Sequence, residues 1–313
     1  MGVELPLTVR DRRILYELDR NPRASFSALA RKIRINRNTL EYRYRQLLES
    51  KVLTNVYAIV NSFDLGYEYY KLYFRTRSVS ADFKLSTLNV PGLVWAAKTD
   101  GQYDLVITIM VRDGNELEDA LKVIRSKIKV REQSLQVLNR VTVFDEKWLG
   151  TFGVPHSIVN QSTKEQQVLD ESDKKIIKEM VGGARVSLVD LGQIVGLTPE
   201  AVKARIRNLE RKKILTGYKA RINYSKLGFD YFHVLLGVSD YEGRKRICEF
   251  LKTLPYCVCV VETTGTYDIQ AEFISRGHSD VSSALEQIKK NFSTYLERTD
   301  ALFIIEEISI RTF

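Results

Sequence analysis

Hydrophobic positions along the chain follow a helical period first and a strand period afterwards. Apolar residues three and four apart predict a first helix around Ile14 and Leu18. Ser25 is a suitable N-cap for a second helix, and Asn36 for a third helix that starts after a short turn. Two short helices joined by a tight turn form the helix-turn-helix arrangement, and the β-rich "VLTNVYAIV" that follows predicts a strand of a two-stranded wing.

Behind the wing, the pattern alternates between strands and helices. "YEYYKLYFRT" predicts a strand, 81–88 a short helix, "LVWAAKT" and "YDLVITIMV" two strands, 115–129 a helix, and "LQVLNRVTVF" a last strand. The order strand, helix, strand, strand, helix, strand is that of a ferredoxin-like domain. The turn between its second and third strands is predicted to hold "GQYD".

The whole pattern occurs twice. Shifted by 162 positions, Asp11 falls on Asp173 and Arg43 on Arg205, and Thr198 caps the third helix of the second copy. Further along the offset is 164, so that "GQYD" at 101 falls on "GTYD" at 265. The predicted fold is therefore α+β, with two repeats that each contain a winged helix-turn-helix followed by a βαββαβ ferredoxin-like domain. The predicted boundaries are 1–62 and 167–224 for the winged helix-turn-helix domains, 63–149 and 225–313 for the ferredoxin-like domains, and 150–166 for a polar linker.

Positive charge is concentrated in the two helical blocks. The net charge of the chain is +9; residues 8–60 hold 12 Lys/Arg against 5 Asp/Glu, and residues 167–222 hold 12 against 7. The two blocks thus carry +7 and +5, and the rest of the chain about −3. Two cationic blocks are the footprint of a polyanion partner, although solvated helix faces explain the charge alone equally well.

The exposed face of each third helix predicts contact with double-stranded DNA. The candidate DNA-binding residues are Arg37, Asn38, Glu41, Tyr42 and Arg45 in the first unit, and Lys203 and Arg207 in the second. Arg and Asn can hydrogen-bond base edges in the major groove, and Lys and Arg can bind phosphates. The second unit has fewer base-contacting groups, and Glu200 opposes phosphates, so the first unit is predicted to be the more specific one.

The sequence lacks the residues that several classes of function require. Three cysteines and three histidines stand at no metal-ligand spacing, and Cys257 and Cys259 are expected as core residues on one face of a strand. We predict no catalytic residue, no metal and no cofactor. The sequence shows no signal peptide and no apolar run long enough to span a membrane, so a soluble, cytoplasmic protein without a membrane partner is expected.

Two stretches carry a resemblance to a known family. "LARKIRINRNTLEYRYRQLLESKVLTNVYAIVN" and "LGQIVGLTPEAVKARIRNLERKKILTGYKARIN", each followed by Gly-x-Tyr-Asp, resemble the Lrp/AsnC transcriptional regulators. The resemblance implies a DNA-binding helix-turn-helix and a domain that dimerises and binds an effector such as an amino acid. Lys51 and Lys213 depart from the family, which often has Gly there, and neither unit has the family's usual glycine-containing turn before the last strand.

The resemblance also implies an effector pocket at the loop between the second and third strands. The implied effector residues are Gly101, Tyr103, Asp104, Gly265, Tyr267 and Asp268. From the residues alone, the same loop needs no ligand, because Gly supplies a positive φ and Asp can accept backbone N–H groups.

The two units are expected to form a pseudo-dimer within one chain, which can assemble further into a homo-oligomer through free sheet edges. The expected function is a sequence-specific transcriptional regulator, not an enzyme. Two alternatives stay open at this point. Siroheme decarboxylases share the architecture but carry a histidine near the second and third strands that this sequence lacks. An effector-free DNA-architectural protein would bind many DNAs with little preference.

Overall fold

The computed structural model describes residues 7–77, 84–150, 156–163 and 165–309. The helices are α1 Val9–Arg20, α2 Phe26–Ile33, α3 Arg37–Glu49, α4 Gly114–Lys127, α5 Glu171–Gly182, α6 Leu188–Val195, α7 Pro199–Arg211, α8 Tyr241–Thr253 and α9 His278–Phe292. The strands are β1 Leu53–Val60, β2 Glu68–Thr76, β3 Leu93–Asp100, β4 Leu105–Val111, β5 Val130–Phe144, β6 Ser157–Gln161, β7 Leu215–Ile222, β8 Asp230–Val238, β9 Cys257–Gly265, β10 Ile269–Ser275 and β11 Leu296–Ser309. Within these residues no helix is both long and apolar enough to cross a membrane.

Two three-helix bundles, head 1 (α1–α3) and head 2 (α5–α7), begin their helices at the predicted caps. Ser25 accepts a hydrogen bond from the Ala28 N–H and Asn36 from the Asn38 N–H. In head 2, Thr198 caps α7, and Pro199 takes the first position of the helix, where an N–H is not needed. The duplicated helix-turn-helix predicted from the sequence is thus confirmed.

The ferredoxin-like domains merge into one closed sheet. The strands follow the order β2-β4-β3-β11-β8-β10-β9-β5, and β5 also pairs with β2, so that eight strands form a ring. The units join twice, through β3 with β11 and through β5 with β9. The helices α4, α8 and α9 pack on the outside, while a smaller set of buried side chains, including Tyr73, Tyr103 and Tyr267, occupies part of the inside.

The predicted wing strands pair between the units. β1 runs antiparallel to β7 over most of its length, so the two wing strands form a two-stranded ribbon with one strand from each unit. Sequence patterns cannot specify this partner, because both strands have the same alternation and lie more than a hundred residues apart in the chain.

Three local expectations are corrected by the structure. Within the predicted linker, Ser157–Gln161 forms β6, which extends the sheet on the edge of β5 beyond β2. The predicted helix 81–88 begins outside the described residues, and its described part holds only a 3-10 turn at Leu85–Thr87. Cys257 and Cys259 lie on opposite faces of β9, because the strand is irregular between their pairing positions and the side-chain alternation is interrupted there.

Candidate nucleic-acid interface

The outer face of α3 presents the residues that were predicted to contact DNA. Arg37, Asn38 and Arg45 are exposed, and Tyr42 exposes 57% of its surface although it is a large aromatic residue. The Arg37 guanidinium forms an ion pair with Glu41 one turn away, with 2.6 Å between Nε and Oε1. The pair uses only Nε of Arg37 and leaves the N–H groups of Nη1 and Nη2 for other acceptors, while the Glu41 carboxylate itself repels phosphates.

On α7 the corresponding face has the same net charge but fewer groups that can hydrogen-bond base edges. Lys203 and Arg207 are exposed, as is Glu200 at the start of the helix. From α2 to the end of α3, residues 26–49, six Lys/Arg oppose two Glu, a balance of +4. From α6 to the end of α7, residues 188–211, four Lys/Arg oppose three acids, a balance of +1. Head 1 therefore offers phosphates the stronger field.

Two arginines on the same helices are structural instead. Arg43 donates to both oxygens of Asp11, and Arg205 donates to Asp173, at 2.9 to 3.1 Å. Each pair ties the third helix of a head to its first helix. The sequence indicated this role, because both the arginine and the aspartate recur in the second copy at the same offset of 162. Such a recurrence is expected for an interaction that the fold itself requires.

Three basic residues in the heads have a left-handed backbone. Arg34 ends α2 with φ 63°, and Lys51 and Lys213 follow α3 and α7 with φ 57° and 55°. A residue with a side chain is disfavoured in this conformation by roughly 1–2 kcal/mol, and glycine is not. The position of Arg34 in head 2 is held by Gly196, with φ 70°. Positive charge is therefore retained at three turns where glycine would be easier to accommodate.

Reciprocal contacts fix the two heads to each other. Arg185 of head 2 donates to the Pro22 carbonyl of head 1 and lies over the Phe26 ring. Its counterpart Arg23 donates to Tyr218 on β7 and lies over that ring. Two backbone hydrogen bonds at the ends of the ribbon are equivalent in the two units. The Asn61 N–H donates to the Ile214 carbonyl, and the Asn223 N–H donates to the Val52 carbonyl.

A buried ion cluster holds head 1 on the ribbon. The Lys219 ammonium of β7 lies 2.6 Å from Asp19 of α1 and 2.9 Å from Glu146, and all three side chains are largely buried. The two carboxylates raise the pKa of Lys219 above its ordinary value and oppose the effect of burial, which lowers it. The equivalent position in unit 1 is Tyr57, so only one head is held in this way.

The two Gly-x-Tyr-Asp loops have the same geometry in both units. Gly101 and Gly265 have φ of 136° and 150°. Asp104 accepts the Thr76 N–H at 2.6 Å, and Asp268 accepts the Val238 N–H at 2.8 Å. These N–H groups belong to the ends of β2 and β8, so each aspartate ties its turn to the neighbouring strand.

Each loop also packs against the last strand of the other unit. A Cβ added to Gly101 would lie 2.7 Å from the Ala301 carbonyl oxygen, and one added to Gly265 would lie 2.6 Å from that of Leu135. The structure therefore brings the two loops to the junction between the units. Their closeness to the opposite backbone explains why both loops begin with glycine.

The tyrosines of the loops point into the closed sheet. Tyr103 and Tyr267 expose only 2% and 1% of their surface and pack on either side of Tyr73, with ring centroids 5.3 and 6.3 Å away. The Tyr267 hydroxyl donates to Asp300 at 2.8 Å. The loop tyrosines are thus in contact with each other and with the surrounding fold.

Comparisons with known proteins match both heads. The family model of the AsnC-type helix-turn-helix domain covers residues 169–210, and that of a winged helix-turn-helix DNA-binding domain covers residues 7–54. An uncharacterised HTH-type transcriptional regulator of Pyrococcus furiosus is 30% identical over 144 residues, 92% of its length. The HTH-type transcriptional regulator Ptr1 of Methanocaldococcus jannaschii is 34% identical over 101 residues, 68% of its length. These matches cover 44% and 32% of this chain, as expected when each relative corresponds to one of two units.

One solved structure resembles nearly the whole chain. The crystal structure of the siroheme decarboxylase NirDL aligns with 97% of this chain and 94% of its own, with a TM-score of 0.64. The sequences are 18% identical in this alignment. This likeness establishes that the duplicated architecture occurs in a second protein, and at that identity it concerns the fold alone.

Proposed function

Because the chain belongs to the Lrp/AsnC family of helix-turn-helix transcriptional regulators, we propose that it is a sequence-specific DNA-binding regulator. In this proposal both halves of the protein–DNA interface come from one chain, which acts as an intrachain pseudo-dimer. The observation that carries the proposal is the pair of cationic third helices, each exposed on a head that is fixed to the other head by the ribbon and by Arg23 and Arg185.

The connection of the heads through the ribbon has a consequence for the DNA site. A dimeric helix-turn-helix protein binds half-sites one helical turn (about 10 bp) or a multiple apart. Since α3 and α7 present different residues, the two half-sites should differ, and the operator should be an imperfect palindrome. Head 1 should supply most of the specificity, through Arg37, Asn38 and Arg45, while Lys203 and Arg207 should mainly bind phosphates.

The left-handed Arg34, Lys51 and Lys213 support phosphate contact at the edges of both third helices. A disfavoured backbone conformation persists where the side chain is of use, and all three positions carry a positive charge. We propose that these residues bind the DNA backbone on either side of the base-contacting faces.

The experiment that tests the proposal is selection of bound fragments from genomic DNA, followed by fluorescence anisotropy on the selected site. Arg37→Ala and Arg45→Ala should each abolish specific binding, whereas Arg131→Ala, which removes an exposed charge on β5, should leave it unchanged. Affinity should fall steeply with salt as counterions are released. Unchanged affinity in both head variants would show that α3 does not contact bases.

An enzymatic function of the siroheme decarboxylase type is the second candidate, and only the shared architecture favours it. The buried His233 is the one histidine inside the described part of the closed sheet, and its neighbours are Trp95 and Tyr231. The two functions are separated by adding an iron uroporphyrin to the purified protein. A regulator should leave the absorption spectrum of the porphyrin unchanged, and an enzyme of that class should shift it at a ratio near one porphyrin per chain.

A small-molecule effector of the regulator is part of the proposal. An amino-acid site at the Gly-x-Tyr-Asp loops stays a prediction. The burial of Tyr103 and Tyr267 favours a role of these loops in joining the units.

A further inference from the structure

The closed sheet contains a cavity of about 390 Å³ that no residue of the Gly-x-Tyr-Asp loops lines. On one side its wall is formed by the ribbon, with Tyr57 and Arg221. On the other side are inward-facing residues of the sheet, among them Lys71, Trp95 and Glu272. A volume of this size is in the range of small-molecule sites in proteins.

On the sheet side of the cavity, Lys71 and Glu272 differ in the number of hydrogen bonds that the protein makes to them. Lys71 is only 4% exposed, and its ammonium lies 3.6 Å from the Glu272 carboxylate, beyond hydrogen-bond distance. Glu272, in contrast, accepts hydrogen bonds from the Tyr231 hydroxyl at 2.5 Å and from the Gln270 amide at 2.8 Å. The carboxylate is therefore occupied by the protein, while the ammonium makes one long ion pair with it and lies over the Trp95 ring, 5.4 Å from the ring centroid.

The ribbon side adds a second cation, Arg221. Arg221 lies over the Tyr57 ring at 5.0 Å, and it forms no ion pair with the described residues. Its Nε is buried and has no hydrogen-bond partner there. A buried donor that is left unpaired is unfavourable by about 1–3 kcal/mol, so this side of the cavity also favours an acceptor.

Most of the remaining wall is apolar and partly aromatic, with polar groups from Ser62, Thr108 and Asn160. It includes the rings of Phe63 and Tyr69, which pack on each other at 5.2 Å, and the side chains of Leu138 and Val261. We propose that the cavity binds a small organic anion, a carboxylate carried on an aromatic or branched apolar body, with Lys71 and Arg221 as the groups that bind the carboxylate.

The duplication makes this a single site. The position of Lys71 in unit 2 is held by His233, and the position of Glu272 in unit 1 is held by Thr108. The second cation and the second carboxylate that a symmetric site would need are thus absent from these positions. One anion should bind per chain, whereas a site at the paired loops would bind two.

The proposal deepens the proposed function, because it names a class of effector for the regulator. The ligand would contact Tyr57 and Arg221, which lie on the two strands of the ribbon, and β1 and β7 directly follow α3 and α7. Binding would stabilise one position of the ribbon and thereby one arrangement of the heads.

Isothermal titration calorimetry of the full chain, without DNA, tests the site with two probes of equal shape. Phenylacetate should bind with one site per chain, and the neutral phenylacetamide should give no saturable heat. Lys71→Met and Arg221→Met should each weaken phenylacetate binding at least tenfold. Lys122→Gln, which removes an exposed lysine on α4, should not change it. Circular dichroism of each variant checks that it is folded.

Four results would overturn the proposal. The first two are the absence of saturable phenylacetate binding at millimolar concentration and equal binding of phenylacetamide. The third is unchanged phenylacetate binding in both folded Met variants. The fourth is tighter binding of L-phenylalanine than of phenylacetate, because the ammonium of L-phenylalanine would find no free carboxylate in this cavity. The titration contains no DNA, so its failure is distinct from a failure of DNA binding, which the selection experiment measures.

Discussion

Lys51 and Lys213 allow a test in which stability and DNA binding change in opposite directions. Both residues have positive φ, 57° and 55°, which disfavours a residue with a side chain by roughly 1–2 kcal/mol. Glycine removes this strain, but it also increases the conformational entropy of the unfolded chain, which lowers stability by about 0.4–1 kcal/mol. Each Lys→Gly substitution should therefore raise the free energy of unfolding by about 0.5–1 kcal/mol.

The same substitution removes a charge beside a third helix. If the lysine binds a phosphate, the slope of log affinity against log salt concentration should become shallower by about 0.9 for each lysine that is lost. Urea denaturation gives the first quantity, and fluorescence anisotropy on the selected operator over a series of salt concentrations gives the second.

Lys51→Ala and Lys213→Ala are the matched controls. Alanine removes the charge but retains the backbone strain, so these variants should lose the same salt slope without any gain in stability. Glycine and alanine variants of equal stability would refute the strain argument. An unchanged salt slope in all four variants would refute the phosphate role of these residues.

Three further substitutions test the interface and the core. Glu41→Gln should release Arg37 from an exposed pair worth about 0.3–0.5 kcal/mol and raise operator affinity about twofold or more in anisotropy; weaker binding would mean that Glu41 contacts the DNA. Lys219→Met leaves two buried carboxylates unpaired and should lower the free energy of unfolding in urea by about 3–5 kcal/mol; a loss under about 1 kcal/mol would contradict a stabilising role of the ion cluster. Burial lowers the pKa of His233 from 6.5 to about 3, so the unfolded chain binds a proton below pH 6.5 that the native protein does not, and stability should fall by about 1.4 kcal/mol per pH unit between pH 6 and 4. His233→Leu should remove that part of the pH dependence in urea titrations, and identical slopes would show that His233 is not buried in its neutral form.

The heads were predictable because their signals are local. Ser25, Asn36 and Thr198 cap helices through hydrogen bonds to residues two or three positions away, so a short stretch of sequence contains the whole interaction. The duplication supported these predictions, since each motif occurs at the same offset in the second unit. The exposure of the outer faces of α3 and α7 followed directly from the helical period.

The pairing of distant elements was not predictable in the same way. β1 pairs with β7 although the two strands are far apart in the sequence. β6 forms in a polar segment because it can pair with the free edge of β5. An irregularity in β9 places Cys257 and Cys259 on opposite faces, which strict alternation cannot show.

The central cavity did leave a signal in the sequence. Lys71 interrupts the apolar run "YYKLYF", and Glu272 interrupts "IQAEFI". Charged residues at inward-facing strand positions are rare unless they are paired, so such a pair indicates a buried contact or a site. Only the structure shows that these two residues, one from each unit, lie close together and face one cavity.

Hydroxyl-radical footprinting of the full chain on its selected operator, with the mass of the complex determined by light scattering, tests most directly whether one chain supplies both DNA-binding heads. The account predicts two protected half-sites of unequal strength on one face of the duplex, separated by about 10 bp or a multiple, with a single chain per duplex. A single protected half-site per chain, or two chains on the smallest protected site, would contradict it.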